Sequence, residues 1–455
     1  MPFDPTLAAI RFGSGLSPKF APPRSAAELL AEINEAPPFR VAAFEAVQPT
    51  VSDFQAAFKR VRDARDTAEL DAREQEYREV RIAANDVYYN AIQATMARHV
   101  GADFGFAERL CAFWADHFTV KARSAAQRHM VTSFVEDAIR PYLNGSFARM
   151  LKAVAMHPMM LIYLEQVQSV GPESAFGKRQ KRGLNENLAR EMLELHTLGV
   201  NGSYDQTDVT EFAELLTGLT YQPQRGMFYD PRFAEPGPET VLGVTYDADG
   251  GVSNILEALD NLAINPETAH HISTKIAAEF VGDAPDAALV DQMTAAYLAS
   301  DGHLPDVYAA MLEHPASWGR KLEKIKSPQR FITSGMRALG VSGLAVDEMS
   351  GRDTRNLIMT PLRVMGQPWE NPNGPDGWLD DSSAWISAQG MAGRISWAMS
   401  APRILITDTL PDPREFVTTA LGQFASADVI FAAGAAEARQ DGVGLVLASP
   451  AFQRS

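Results

Sequence analysis

The sequence predicts a mainly α-helical protein, a multi-helical globular body with one small β-hairpin or flap insertion. Three observations lead there. Apolar residues recur at helical spacing in most segments, as with Leu188, Met192 and Leu195. Strand character is confined to the stretch from Leu219 to Tyr246. An apolar share of 46% is enough for a large core. No segment is apolar over the roughly 18 residues that a membrane helix needs.

Residues 1–50 are rich in proline (Pro18, Pro22, Pro23, Pro37, Pro38, Pro49), with one short helix near Ala26 to Ile33. They are expected to wrap the body. Residues 51–455 are expected to form a single multi-helical domain, because no Ser/Gly-rich or charge-block linker divides them; a subdivision near 340–365 is the alternative. One or two long helices should fill Val51 to Val100, with the alternating charges of Lys59 to Arg81 forming a solvated face. In the helix expected from Phe106 to Thr119, Leu110, Trp114 and His117 fall at i, i+4 and i+7, so His117 points where the Trp114 indole points. Thr132 to Arg140 and Phe147 to Ala155 continue the helical pattern, and Pro158 starts a further helix through Leu164.

The stretch from Gly177 to Gly218 is the most charged against apolar residues. A basic loop (Lys178, Arg179, Lys181, Arg182) leads into a helix from about Asn185 to Leu198, which Gly199 closes as a left-handed cap. Leu188, Met192 and Leu195 form its apolar stripe. Asn187, Arg190, Glu191 and Glu194 share an arc of roughly 100° on the other side, while His196 projects with the apolar residues. After the turn Asn201-Gly202, Asp208 and Glu211 have the spacing of a capping box for a second helix to about Thr217.

Met227 to Tyr229 and Thr240 to Tyr246 are expected to pair across a proline-rich turn. Ser253 to Ala263, Glu267 to Val281, Ala287 to Ala299, Leu304 to Leu312 and Pro328 to Leu339 read as amphipathic helices. In the Pro/Gly loop from Gly366 to Asp381, Trp369 and Trp378 either cap the core or line a pocket. Helices through Trp397 and from about Arg414 complete the chain.

Charge and motif spacing exclude several functions. Asp and Glu outnumber Lys and Arg by 57 to 41, and the net charge of −16 repels nucleic acid and anionic membranes. The single cysteine, Cys111, excludes an internal disulfide and a multi-thiolate zinc site; between Leu110 and Phe113 it reads as a core residue. Gly171 to Lys178 has five residues between its glycines, and Arg179 stands where a P-loop needs a hydroxyl. Gly13-Ser14-Gly15 lacks the third glycine of a dinucleotide fingerprint, and Glu267 with His270 is the only E-x-x-H, too few for a di-iron bundle. No metal site is assigned and the cofactor is left open. An acidic chain with one cysteine and no export signal of its own is expected in the cytoplasm.

The arc on the central helix is the chemical candidate. Facing outward, Arg190 would pair with Glu186 or Glu194 for only a few tenths of a kcal/mol. Facing inward, the arc is either a buried ionic network that locks the helix or a carboxylate site. In the latter, Glu191 and Glu194 would repel and raise at least one pKa, which suits proton sharing. The expected centre joins this helix to the Trp114/His117 face and the Trp369/Trp378 loop. Glu191 and Glu194 are its acid/base pair, His117 a helper, and Arg182 or Arg190 an anion clamp, with Asn187 on the same surface. Such a set points to a hydrolase or lyase on a small polar or anionic, carbohydrate-like substrate.

GLNENLAREMLELHTLGVNGSYDQTDVTEFAELLTG resembles the signature of a bacterial family, domain of unknown function 1800. The resemblance continues in RFGSGLSP, FWADHF, HPMMLIYLEQVQSVGP, EPGPETVLG, TAHHISTKIAAEFV, KIKSPQRFI and the stretch from GQPW through GPDGWLDDSSAWIS, and so covers nearly the whole chain. It implies a helical fold and supplies no reaction. The family usually has a histidine at the position of Ala234 and a lysine at that of Glu239, so a family-wide site using that histidine does not carry over here. Members are often encoded beside an alkaline-phosphatase-like family with a twin-arginine export signal. That implies the alternative function: a non-enzymatic scaffold or partner for a co-encoded exported alkaline-phosphatase-like protein, leaving the cytoplasm only with that signal-bearing partner.

Overall fold

The computed structural model describes residues 3–379 and 381–455. Most helices start on a side-chain cap, as the Asp and Ser residues before them predict. Asp4 caps α1 (Pro5–Arg11) and Ser25 caps α2 (Ala26–Glu32). The first 50 residues thus hold more helix than one short piece, and α3 (Phe44–Asp63) also begins within them. It packs along α4 (Leu70–Gly101), with the alternating charges on the outer faces, where Arg60 meets Glu76 at 2.7 Å and Arg73 meets Glu69 at 3.0 Å. At the head of α5 (Phe106–His117) the Glu32 carboxylate accepts the backbone N–H groups of Phe104, Gly105, Phe106 and Ala107 at 2.6–3.2 Å. An anion on a helix N-terminus satisfies donors that the helix cannot, and this one fixes α5 to α2.

The chain continues through α6 (Val131–Ala138), α7 (Phe147–Ala155), α8 (Pro158–Tyr163), α9 (Ala175–Gln180) and α10 (Asn187–Glu191). Lys178 and Arg179 therefore sit on a short helix rather than in a loop, and only Lys181, with φ 53°, breaks it. After α10 the helix widens into a π turn, Met192–Thr197, before Gly199 closes it at φ +89°. α11 (Gln206–Leu215) starts one turn earlier than the sequence spacing suggested. Asp205 is its cap and Asp208 the reciprocating residue, because Asp205 accepts from the amides of Thr207 and Asp208.

The small β insertion comprises two antiparallel hairpins, and the expected pairing of Met227–Tyr229 with Thr240–Tyr246 does not occur. β1 (Leu219–Gln222) pairs with β2 (Gly226–Tyr229), and β3 (Glu239–Val241) pairs with β4 (Val244–Tyr246). The cause is local: Leu242 and Gly243 both take positive φ, 50° and 77°, which closes a tight two-residue turn between β3 and β4.

α12 (Val252–Ala263), α13 (Pro266–Phe280), α14 (Ala287–Ala299) and α15 (Leu304–Glu313) complete a first apolar cluster. A second is built by α16 (Pro328–Ala338), α17 (Gly343–Asp347), the π turn Thr354–Met359 that follows α18 (Gly351–Asp353), α19 (Thr360–Val364), α20 (Ala388–Leu405), α21 (Pro413–Leu421), α22 (Ala427–Ala435) and α23 (Arg439–Ala448). α4 belongs to both clusters, contributing Ala84 to the first and Ile92, Met96 and Val100 to the second. Buried Arg337 of α16 ties them together through the carbonyls of Gly15, Val100, Ala102 and Asp103. Among the described residues no helix is long and apolar enough to cross a membrane.

Candidate functional site

Of the expected apolar stripe, Leu188 and Met192 are fully buried, whereas Leu195 is only half-buried and Leu193 takes the inward place, because the π turn from Met192 shifts the register. In the π turn Thr197 Oγ1 reaches the Met192 carbonyl at 2.6 Å and the Leu198 amide reaches that of Leu193 at 3.0 Å, both five residues back. His196 is buried beside Phe118, 6.0 Å from the ring of His117. Gly199 is needed for its positive φ and for room, since a Cβ there would meet His271 Nδ1 at 2.9 Å.

Arg190, Glu191 and Glu194 of the polar arc are half-buried. Burial first, then the charges of Glu194 and Asp376, push the Glu191 carboxyl up to about 7, against the pull of Arg190. The expected partners are engaged elsewhere. Arg190 binds Glu186 at 2.8 Å and Gln206 at 2.9 Å, exposed Arg182 donates to the Gln168 carbonyl, and His117 Nε2 donates to the His196 carbonyl at 3.1 Å. Asn187 is exposed.

The Trp114/His117 face divides. Trp114 is fully buried among Phe113, Phe118 and Phe147, and its indole N–H reaches the Tyr308 hydroxyl at 2.7 Å, so it is packed as core. The His117 pKa falls well below the ordinary imidazole value, through burial and then the charge of Lys275, so the ring is neutral. Donation from Nε2 leaves Nδ1 as a bare acceptor.

The Trp loop is docked tightly. Trp378 donates its amide to Asp116 Oδ1 at 2.9 Å, and Gly377 (φ +76°) lies so close that a Cβ would be 2.7 Å from that oxygen. Lys121 Nζ holds the Pro372 and Asn373 carbonyls at 3.1 and 2.8 Å, and Thr132 Oγ1 donates to Glu370 Oε2 at 3.0 Å.

Between this loop and α5, α6, α13 and α16 lies a cavity of about 200 Å³. Trp369, Trp378 and Trp385 form one side of it. On another, Arg140 binds Glu108 at 2.7 and 2.8 Å and Glu136 at 3.1 Å; burial opposes it, but Arg140 holds the Glu108 carboxyl below its ordinary range. A third carries Glu279, paired with Arg109 at 2.7 Å and 3.8 Å from Arg330. Glu370 completes the wall, its carboxyl pushed up to about 7 by burial. Cys111 also borders the cavity, but burial pushes its thiol up to about 12, so it supplies no thiolate.

Of the residues singled out from sequence, the structure brings His117, Trp369 and Trp378 to this cavity and leaves Glu191, Glu194, Arg182, Asn187, Arg190 and Trp114 outside its wall. The two faces meet back to back at Asp376–Trp378, where Asp376 acts on Glu191 and Trp378 lines the cavity. Asp116, Arg330 and Glu370 escaped the sequence reading although each lies in or beside a quoted segment: FWADHF, KIKSPQRFI, and the residue after GQPW.

Elsewhere, Glu211, Glu214 and Glu239 place carboxylate oxygens within 4.8 Å of one another, the one such group of potential metal ligands among the described residues. Burial and the two neighbouring carboxylates push Glu239 up, which favours a shared proton there.

The family described as "Protein of unknown function (DUF1800)" matches residues 10–454. No curated protein and no solved structure matches the chain.

Proposed function

We propose, for a chain that belongs to the DUF1800 family of proteins of unknown function, an enzyme of the hydrolase or lyase class acting on a small polar, carbohydrate-like substrate in the tryptophan-lined cavity. One observation carries this reading: Glu370, with a pKa of about 7, stands in a wall shared with three indoles. A carboxyl half-protonated near neutrality can give a proton to a leaving oxygen and take one back. Indole faces suit the apolar faces of a sugar ring, while Arg330 and the Glu279 carboxylate offer hydrogen bonds to its hydroxyls or to an acidic substituent. Glu370 takes the acid/base role expected of Glu191 and Glu194, because those two lie outside the cavity. His117 remains a neutral acceptor on its edge.

The test is a panel of neutral and acidic monosaccharide glycosides and disaccharides, followed by reducing-end release for hydrolysis and by ultraviolet absorbance of an unsaturated product for elimination. Glu370→Gln should lower turnover by about 10²–10⁴. Absence of turnover across the panel, or equal turnover by the variant, would overturn the proposal.

A second reading, the non-enzymatic partner of a co-encoded alkaline-phosphatase-like protein, draws on apolar side chains left exposed on the C-terminal helices: Ile404 at 57%, Ile430 at 50% and Phe431 at 77%. Co-purification with the neighbouring gene product, lost in Phe431→Ser, is its expected result. Fractionation of the same cells tests residence: the acidic, one-cysteine composition supports the cytoplasm, and export only with the partner is the alternative.

A further inference from the structure

A second, larger cavity of about 620 Å³ shares Val131, Trp369 and Glu370 with the first. It is bordered by the middle of α4, the segment before α6, and the run from the second π turn into α19. In a chain of net charge −16, its wall carries three arginines, Arg128, Arg355 and Arg363, and one carboxyl, Glu370. Among the described residues none of these arginines makes an ion pair. Arg128 donates to Asn85 at 2.9 Å and lies 5.2 Å from the centre of the Tyr88 ring. Arg355 donates to the Tyr89 hydroxyl at 2.6 Å. Glu370 is engaged by Thr132, and at a pKa of about 7 it offsets only part of this positive charge at neutrality.

A guanidinium fork matches a phosphate or carboxylate, and several such groups around one concave surface add their fields. The volume lies in the range of roughly 300–1,000 Å³ typical of organic ligands, more than a bare anion fills. Tyr89 and Trp369 add half-buried aromatic side chains for a flat ring. We propose that this cavity is a binding site for a phosphorylated small molecule with a planar ring, of the nucleotide class, its phosphate held by Arg355 and Arg363 and its ring by Tyr89 and Trp369.

Isothermal titration of the full chain at low salt, with adenosine monophosphate, inorganic phosphate, adenosine and glucuronate as probes, tests the site. Saturable binding of the nucleotide is expected, tighter than that of phosphate or adenosine alone. Arg355→Gln and Arg363→Gln should each weaken it about tenfold or more, the loss of one charged hydrogen bond. Both arginines are exposed, so the melting temperature of each variant should match the wild type, and Arg414→Gln on α21 should keep full affinity. Absence of nucleotide binding at millimolar concentration, unchanged affinity in both arginine variants, or preference for glucuronate would overturn the assignment.

Discussion

At the residue scale, Glu370 illustrates how burial sets chemistry. Its carboxyl rises from the ordinary 4.5 to about 7, so between those values the folded chain keeps a proton that the unfolded chain releases. The stability linked to this group is therefore complete below about 4.5 and declines as the pH rises through about 7. Glu370→Gln cannot ionise, and its denaturation midpoint should fall less than that of the wild type over this window; parallel pH profiles would contradict the assignment. Glu191 shifts in the same direction but is present in both proteins and cancels from the difference. Trp114 makes the opposite case of a polar-tipped residue working as core. Trp114→Ala should destabilise by about 3–5 kcal/mol in denaturant melts, and a loss below about 1 kcal/mol would place the indole in an open pocket.

At the element scale, the site depends on a helix that does not stay regular and on a loop that is not loose. The π turn at Met192–Thr197 brings the His196 carbonyl to His117, while Glu191, on the turn before it, feels the charge of Asp376. The Trp loop is held by its own backbone against Asp116, and Gly377 is the point of closest approach. Gly377→Ala meets two obstacles, a left-handed φ of +76° and the Asp116 oxygen at 2.7 Å. It should lose at least about 1 kcal/mol and red-shift the tryptophan emission as Trp378 becomes exposed. An unchanged spectrum would mean that Asp116 simply moves aside.

At the scale of the whole molecule, α4 is the shared beam. Its 32 residues supply side chains to both apolar clusters, and Arg337 stitches α16 to backbone carbonyls near the start of the chain and at the end of α4. Separate unfolding of either cluster would strip buried apolar surface from α4 and leave the Arg337 guanidinium unpaired. We therefore expect residues 51–455 to melt as one cooperative unit, with the calorimetric enthalpy equal to the van't Hoff enthalpy. Two resolved transitions, or a stable fragment after proteolysis near 340–365, would favour two units instead.

Local pattern carried much of this protein into view. The helical periods of α5, α7 and α10, the Gly199 cap and the confinement of strands to 219–246 all follow from interactions within a few residues, which any reader of the chain can place. The family, too, was legible in its motifs. Other features depend on contacts between distant segments. The pairing within each hairpin, the capture of the α5 N-terminus by Glu32 and the docking of Gly377 on Asp116 join groups whose sequence separation hides them. Burial has the same property: Glu191 and Glu370 are both raised to about 7, and nothing in their flanking residues tells which one meets a cavity. The desolvation that raises a carboxyl is a sum over neighbours from the whole fold, so the choice of Glu370 and the exclusion of Trp114 came from packing, whereas the helices that carry the site came from sequence.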